Sequence, residues 1–161
     1  MKRTTYLLAS LSCLGALGFV TSQSARASAT DDKIDAAQLK SMIEGLGYET
    51  KALNAEVGKE KYTFTVKLSD YDVPIAAELS ASTTYVWLTV FLGASKPTAK
   101  FEDMLKRNYQ IQPCQFYITT KGSLMMGVAI DNRQITPAVL KRNVDMLAEN
   151  TTKSHEIWAG Q

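Results

Sequence analysis

The residues that could perform acid–base or metal chemistry are few and are scattered along the chain. The single histidine, His155, precedes Glu156, and two carboxylates, Asp70 and Asp72, flank Tyr71 in a predicted turn. Paired carboxylates can bind calcium or act as acid and base, and a histidine can bind a metal, but both need further groups at ligand spacing. Because the sequence does not supply such groups, we predict a solvated histidine, an ordinary turn, no metal site and no catalytic residue.

The sulfur-containing side chains also favour structural roles. Cys114 is the only cysteine after residue 29 and falls on the inward phase of a predicted strand, which favours a buried thiol. Met125 and Met126 are neighbours on a predicted strand, so they point to opposite faces and cannot bind one soft metal together. The sequence also lacks a nucleophile motif, a phosphate-binding glycine loop and a Cys-x-x-Cys pair. We predict that the protein is not an enzyme and holds no cofactor; the alternative is a small hydrolase or isomerase that uses the histidine or the two carboxylates above.

The most strand-like stretch runs from Thr83 to Gly93 and has two different faces. One face is aliphatic and consists of Val86, Leu88, Val90 and Leu92. The other is aromatic and partly polar and consists of Tyr85, Trp87, Thr89 and Phe91. A strand that is apolar on both faces belongs in the middle of a sheet. We therefore expect helices on the aliphatic face and a different kind of contact on the aromatic face.

The aromatic side chains make this second face the best candidate for binding. We predict a binding face formed by Tyr85, Trp87, Phe91 and, from a later strand, Tyr117. Aromatic rings among threonines supply contact area with little loss of conformational entropy. The face could instead be closed by a second copy of the chain or by the last helix.

The first 29 residues resemble an export signal. A basic start precedes a mostly apolar run from residue 6 to residue 20, and small residues follow at Ala27 and Ala29. We predict a signal peptide over residues 1–29 that is cleaved after Ala29, or alternatively after Ala27, and a single domain over residues 30–161. The apolar run is too short for a comfortable membrane span, although an uncleaved anchor is the alternative. We expect an exported protein, periplasmic or secreted, with no stable membrane insertion after cleavage.

The charge balance disfavours nucleic-acid binding. The chain carries 18 basic and 16 acidic residues, and three of the basic ones, Lys2, Arg3 and Arg26, lie in the leader. The remaining domain is near neutral and shows no basic patch or stripe, which a nucleic-acid binder would need. We therefore predict no nucleic-acid partner.

Helix signals bracket runs of predicted strands. Asp35 and Gln38 form a predicted capping box for the first helix, and Pro97 is expected in the first turn of the second. The segment Asp131-Asn132-Arg133 is interpreted as a plain loop before the last helix, which Thr136-Pro137 opens. Short turns rather than crossover helices join the strands, which indicates antiparallel pairing. The predicted fold class is α+β: an antiparallel sheet of about five to six strands with helices packed on one face, in the order α-β-β-β-β-α-β-β-α.

Several short stretches carry a resemblance to a known family. They are Ile43-Glu44-Gly45-Leu46-Gly47-Tyr48-Glu49, Met104-Leu105-Lys106-Arg107-Asn108, the hairpin from Phe116 to Val128 around Lys121-Gly122, and Ile135-Thr136-Pro137. On these residues the chain resembles the type III secretion chaperone-like fold and, within it, the YbjN-like family of small bacterial proteins. The resemblance implies a protein-binding or chaperone-like module, often dimeric, with no catalytic residues to carry over. The secretion chaperones are cytoplasmic, so the predicted leader departs from their pattern.

We therefore predict an exported, non-enzymatic module that binds a protein or peptide in a chaperone-like or in a sensory or regulatory role. A homodimer is compatible with this prediction. The alternative is a structural envelope protein that acts only through self-association.

Overall fold

The structure is a computed structural model that describes residues 33–133 and 135–159. In that part of the chain the helices are α1 (Ala36–Gly45), α2 (Phe101–Gln110), α3 (Pro137–Lys153) and α4 (His155–Trp158). The strands are β1 (Lys51–Asn54), β2 (Lys61–Lys67), β3 (Asp72–Leu79), β4 (Tyr85–Ala94), β5 (Gln115–Ile118) and β6 (Ser123–Asp131). The signal peptide predicted over residues 1–29 lies outside the described residues and stays a prediction.

The six strands form one antiparallel sheet in the order β1-β2-β3-β4-β6-β5. The predicted α+β class and the predicted order of helices and strands are confirmed. The central position of the two-faced strand is confirmed as well, because β4 lies between β3 and β6. The short helix α4, directly after α3, is the only element in the described residues that the predicted order lacks.

The helices cover the aliphatic face of the sheet. Val86, Leu88 and Val90 of β4 are buried there, in the same core cluster as Leu140 and Leu147 of α3. Helix α3 contacts four strands, β2, β3, β4 and β6. The alternative in which the last helix folds across the aromatic face is therefore wrong, because the apolar stripe of α3 packs against the aliphatic face.

Two helices begin as the sequence predicts. The N–H of Gln38 donates to Asp35 Oδ1 at 2.8 Å, and the N–H of Asp35 donates back to Gln38 Oε1 at 2.8 Å, which completes the capping box. Thr136 caps α3 by accepting from the N–H of Val139 at 3.2 Å, with Pro137 in the first turn. Both caps satisfy donors that the first turn of a helix leaves unpaired.

The second helix begins later than predicted. Pro97 lies in a turn before α2, which starts at Phe101 with Lys100 at the N-cap, where the lysine side chain makes no capping hydrogen bond to the first turn. Thr151 and Thr152 are poor helix formers and could have ended the last helix, but α3 continues through them to Lys153. The hydroxyls of these threonines donate to backbone carbonyls of the preceding turn, at 2.8 Å to Leu147 and at 2.9 Å to Glu149, so they are satisfied inside the helix.

Cys114 is buried, as predicted, although β5 begins one residue after it. Burial raises the pKa of its thiol, and a hydrogen bond with the Asn150 side chain acts in the opposite direction. A buried thiol with a raised pKa is a poor nucleophile at neutral pH, which agrees with a structural role.

Asn132 ties the N-terminal segment to the sheet. Its side chain is fully buried; Oδ1 accepts from the N–H of Ile34 at 3.2 Å, and Nδ2 donates to the carbonyls of Ile34 at 3.0 Å and Thr83 at 2.9 Å. Thr83 has a φ of +54°, a left-handed conformation that is uncommon for a non-glycine residue. The expectation of a plain loop at this segment is therefore wrong, because Asn132 holds two distant chain segments together.

Asn108 of α2 caps the backbone of the edge strand β5. Its Nδ2 donates to the carbonyl of Phe116 at 3.2 Å, and its Oδ1 accepts from the N–H of Phe116 at 2.7 Å. The N–H and the carbonyl of Phe116 both point away from β6. The Asn108 amide forms with them the two hydrogen bonds that a neighbouring strand would form.

Candidate binding site

The four predicted binding residues lie on the same face of the sheet. We call this surface the aromatic face: Tyr85, Trp87 and Phe91 from β4 and Tyr117 from β5. Strand β6 runs between the two strands, with Met125 opposite both Phe91 and Tyr117. The structure thus places all four predicted side chains on the side of the sheet opposite the described helices.

The exposure of these side chains differs along β4. Phe91 is 62% exposed and Tyr85 is 44% exposed, whereas Trp87 and Tyr117 are partly buried. The rings of Trp87 and Tyr117 lie 6.5 Å apart at an angle of 55°. They can approach across β6 because Gly127 stands between their strands and has no side chain: a Cβ built there would lie 3.1 Å from Tyr117 Cε1. The glycine therefore lets Tyr117 lean over the sheet towards β4.

The exposure of Phe91 follows from the end of the β3–β4 ladder. Pairing between these strands extends from Leu79 opposite Val86 to Ala76 opposite Thr89 and stops there. The next residue of β3 on this side is Pro74, which has no N–H to donate to β4. Phe91 lies beyond the last pair, where β4 is paired only with β6.

An ion pair borders the aromatic face on the side of β2 and β3. Lys61 Nζ lies 2.9 Å from Glu78 Oε1, and Glu78 is directly opposite Trp87 in the ladder. Burial, and after it the negative charge of Glu78, raises the pKa of the Tyr117 hydroxyl. The four side chains of the aromatic face are uncharged, and the Lys61–Glu78 ion pair lies at its border.

Thr89 lies among the rings and is almost completely buried, at 4% exposure. Its hydroxyl has no hydrogen-bond partner in the described residues. Sequence alternation places Thr89 on this face but does not reveal its burial, which depends on which residues lie opposite in β3 and β6.

A second exposed apolar surface lies on α2 and was not predicted. Phe101, Leu105 and Tyr109 recur at helical spacing and are 38%, 70% and 84% exposed; we call them the α2 stripe. Phe101 and Leu105, together with Ile118 of β5, border an apolar groove of about 270 Å³. Met104 is the buried residue of α2, because the helix lies at the margin of the sheet and turns its other apolar side chains outward.

The residues weighed for acid–base chemistry are not hydrogen-bonded to one another in the described part of the chain. His155 contacts aromatic rings, with its centroid 5.4 Å from Tyr71 and 4.8 Å from Trp158. Asp70 and Asp72 flank that tyrosine, yet neither makes a hydrogen bond or ion pair with His155 in the described part of the chain. Within residues 33–133 and 135–159, no three His, Cys, Asp or Glu side chains lie close enough together to bind a metal ion. The same residues contain no helix long and apolar enough to cross a bilayer.

Comparison with known proteins identifies the fold. No protein-family profile matches the chain, and no curated protein matches it significantly. Among solved structures, a chain of the HopA1–SchA chaperone–effector complex matches with a TM-score of 0.53 at 14% identity, over 76% of this chain and 98% of that one. A chain of the ExsC–ExsE complex matches with a TM-score of 0.54 at 12% identity, over 78% of this chain and 97% of that one.

These likenesses show a chaperone-like fold, which confirms the coarser part of the resemblance found in the sequence. At this level of identity they show the fold alone. Membership of the YbjN-like family stays a prediction.

Proposed function

We propose that the protein is a non-enzymatic module that binds a protein or an extended peptide through the aromatic face. The observation that carries this proposal is the exposure of Phe91, 62%, near the middle of a six-stranded sheet whose other face holds the helices. Exposed aromatic side chains with a polar surround are enriched at protein-interaction sites. The chaperone-like fold supports the proposal, because both similar structures are complexes and one is described as a chaperone with its effector.

A displayed library of short random peptides tests this function on the chain from Thr30, which contains every described residue. We expect the selected peptides to bind Phe91→Ser at least about tenfold more weakly than they bind wild type. An aromatic anchor at the centre of an interface contributes a large share of the binding free energy. Val57→Ser is the matched control, since Val57 is 91% exposed on the turn between β1 and β2. Equal affinity for wild type and Phe91→Ser, or no peptide enriched by wild type, would contradict the proposal.

A homodimer formed through the α2 stripe is the second proposal. It is favoured by the exposure of Leu105 and Tyr109, two large apolar side chains one helical turn apart. Two such helices can pack side by side and remove both stripes from water. Light scattering over a concentration series measures this association directly, and a monomer at every concentration would exclude it.

Export to the periplasm or the medium is also proposed, on the basis of the leader over residues 1–29. That leader has a basic start, a mostly apolar run from residue 6 to residue 20 and small residues at Ala27 and Ala29. When the whole chain is expressed in a bacterium, we expect an intact mass that begins at Thr30. A product that retains Met1 would contradict export with processing.

A further inference from the structure

Thr89 occupies a closed position beneath the aromatic face. Its neighbours across the sheet are Ala76 in β3 and Gly127 in β6. Both are too small to cover a threonine, so the atoms that bury it come from the longer side chains around it. Tyr117 is placed to do this, because it leans over Gly127, where a built Cβ would also lie 3.3 Å from Thr89 Cγ2.

The buried hydroxyl of Thr89 has a cost in the free protein. A hydroxyl removed from water without a partner destabilises the fold, whereas valine has the same shape, suits a strand equally well and carries no such penalty. Destabilising polar groups of this kind are characteristic of functional sites, where stability is exchanged for binding.

We propose that the aromatic face contains a closed slot between Trp87 and Tyr117, with the Thr89 hydroxyl at its bottom. Tyr117 moves aside when a peptide partner inserts an uncharged polar side chain, which then hydrogen-bonds with Thr89. This inference rests on the function proposed for the aromatic face and names the chemistry that the face selects. Asparagine, glutamine, serine or threonine of the partner would pair with the Thr89 hydroxyl, which can both donate and accept.

The surroundings of the slot explain why the inserted group is uncharged. Trp87 and Tyr117 form aromatic walls in which a charge would lose its hydration without an ionic partner. Glu78 is already paired with Lys61, and its negative charge opposes an acidic side chain next to Tyr117. A basic side chain would have to compete with Lys61 for the same carboxylate.

The test is Thr89→Val, compared with wild type in the same peptide selection. We expect the melting temperature of Thr89→Val to rise by about 3 °C, because a buried unpaired hydroxyl is removed. We expect affinity for the selected peptides to fall about tenfold, because their inserted polar group loses its partner. Thr65→Val is the control. Thr65 is an exposed threonine of β2 on the same face of the sheet as Thr89, so its substitution should change neither the melting temperature nor the affinity.

The outcomes separate this inference from the function on which it rests. If the peptides depend on Phe91 but bind Thr89→Val as they bind wild type, the face binds peptides and the slot is refuted. If wild type enriches no peptide, both the function and the slot are refuted. If peptides that share an uncharged polar residue bind wild type and Thr65→Val alike, and Thr89→Val loses them while becoming more stable, the slot is supported.

Discussion

Replacing Asn132 by alanine should lower the free energy of unfolding by about 3 kcal/mol, because three hydrogen bonds are lost from a fully buried side chain. The substitution leaves the N–H and carbonyl of Ile34 and the carbonyl of Thr83 without the amide that they contact. These groups are near the surface, so water recovers part of the loss, and the effect stays below the sum of three fully buried bonds. Chemical denaturation of wild type and Asn132→Ala measures the difference.

Asn54→Ala is the control for this experiment. Asn54 also makes a side-chain hydrogen bond, accepting from the N–H of Glu56 at 2.9 Å, but it closes only a local turn. We expect it to cost less than about 1 kcal/mol. If the two variants have similar free energies of unfolding, the hydrogen bonds of Asn132 to distant segments do not stabilise the fold as we expect.

Replacing Leu105 by glutamate should weaken self-association more than about 100-fold. The variant removes a central apolar side chain of the α2 stripe and places a charged carboxylate within the apolar contact of the proposed dimer. Leucine and glutamate have similar helix propensities, and the side chain is 70% exposed, so the monomer should keep its fold. Light scattering should show wild-type dimers and Leu105→Glu monomers at the same concentration, with unchanged circular dichroism.

Val57→Glu controls for the general effect of a new surface charge. It introduces the same side chain at an equally apolar and more exposed position that is outside the α2 stripe. Dissociation by Val57→Glu as well would point to charge repulsion rather than to loss of a specific interface. Wild-type dimers that persist in Leu105→Glu would place the interface elsewhere.

Sequence alone predicts the strands well because their pattern is local. The alternation along β4 assigns both faces without knowledge of any partner strand, and Asp35 and Thr136 mark helix starts through bonds to residues three positions away. Fold class follows from these elements, since short connections leave antiparallel pairing as the simplest arrangement.

The parts that sequence analysis misses depend on contacts between distant segments. Asn132 stands in a segment that looks like a turn, and its partners Ile34 and Thr83 lie 98 and 49 positions away. The burial of Thr89 depends on Gly127 opposite it, which lets Tyr117 lean over that position, and the register that places Gly127 there is set by the whole sheet. The outward rotation of Leu105 depends on where α2 meets the sheet, which apolar spacing in the helix does not determine.

The amide of Asn108 has a consequence for how copies of this protein can assemble. Sheets with a free outer strand can recruit strands from other molecules one after another, which leads to fibres. At β5, both backbone groups that a recruited strand would need at Phe116 are already bonded to a residue of the same molecule. Contacts between copies on this side therefore have to use side chains such as those of the α2 stripe. The two-fold dimer proposed through the α2 stripe is closed by its symmetry and needs no backbone hydrogen bond from Phe116.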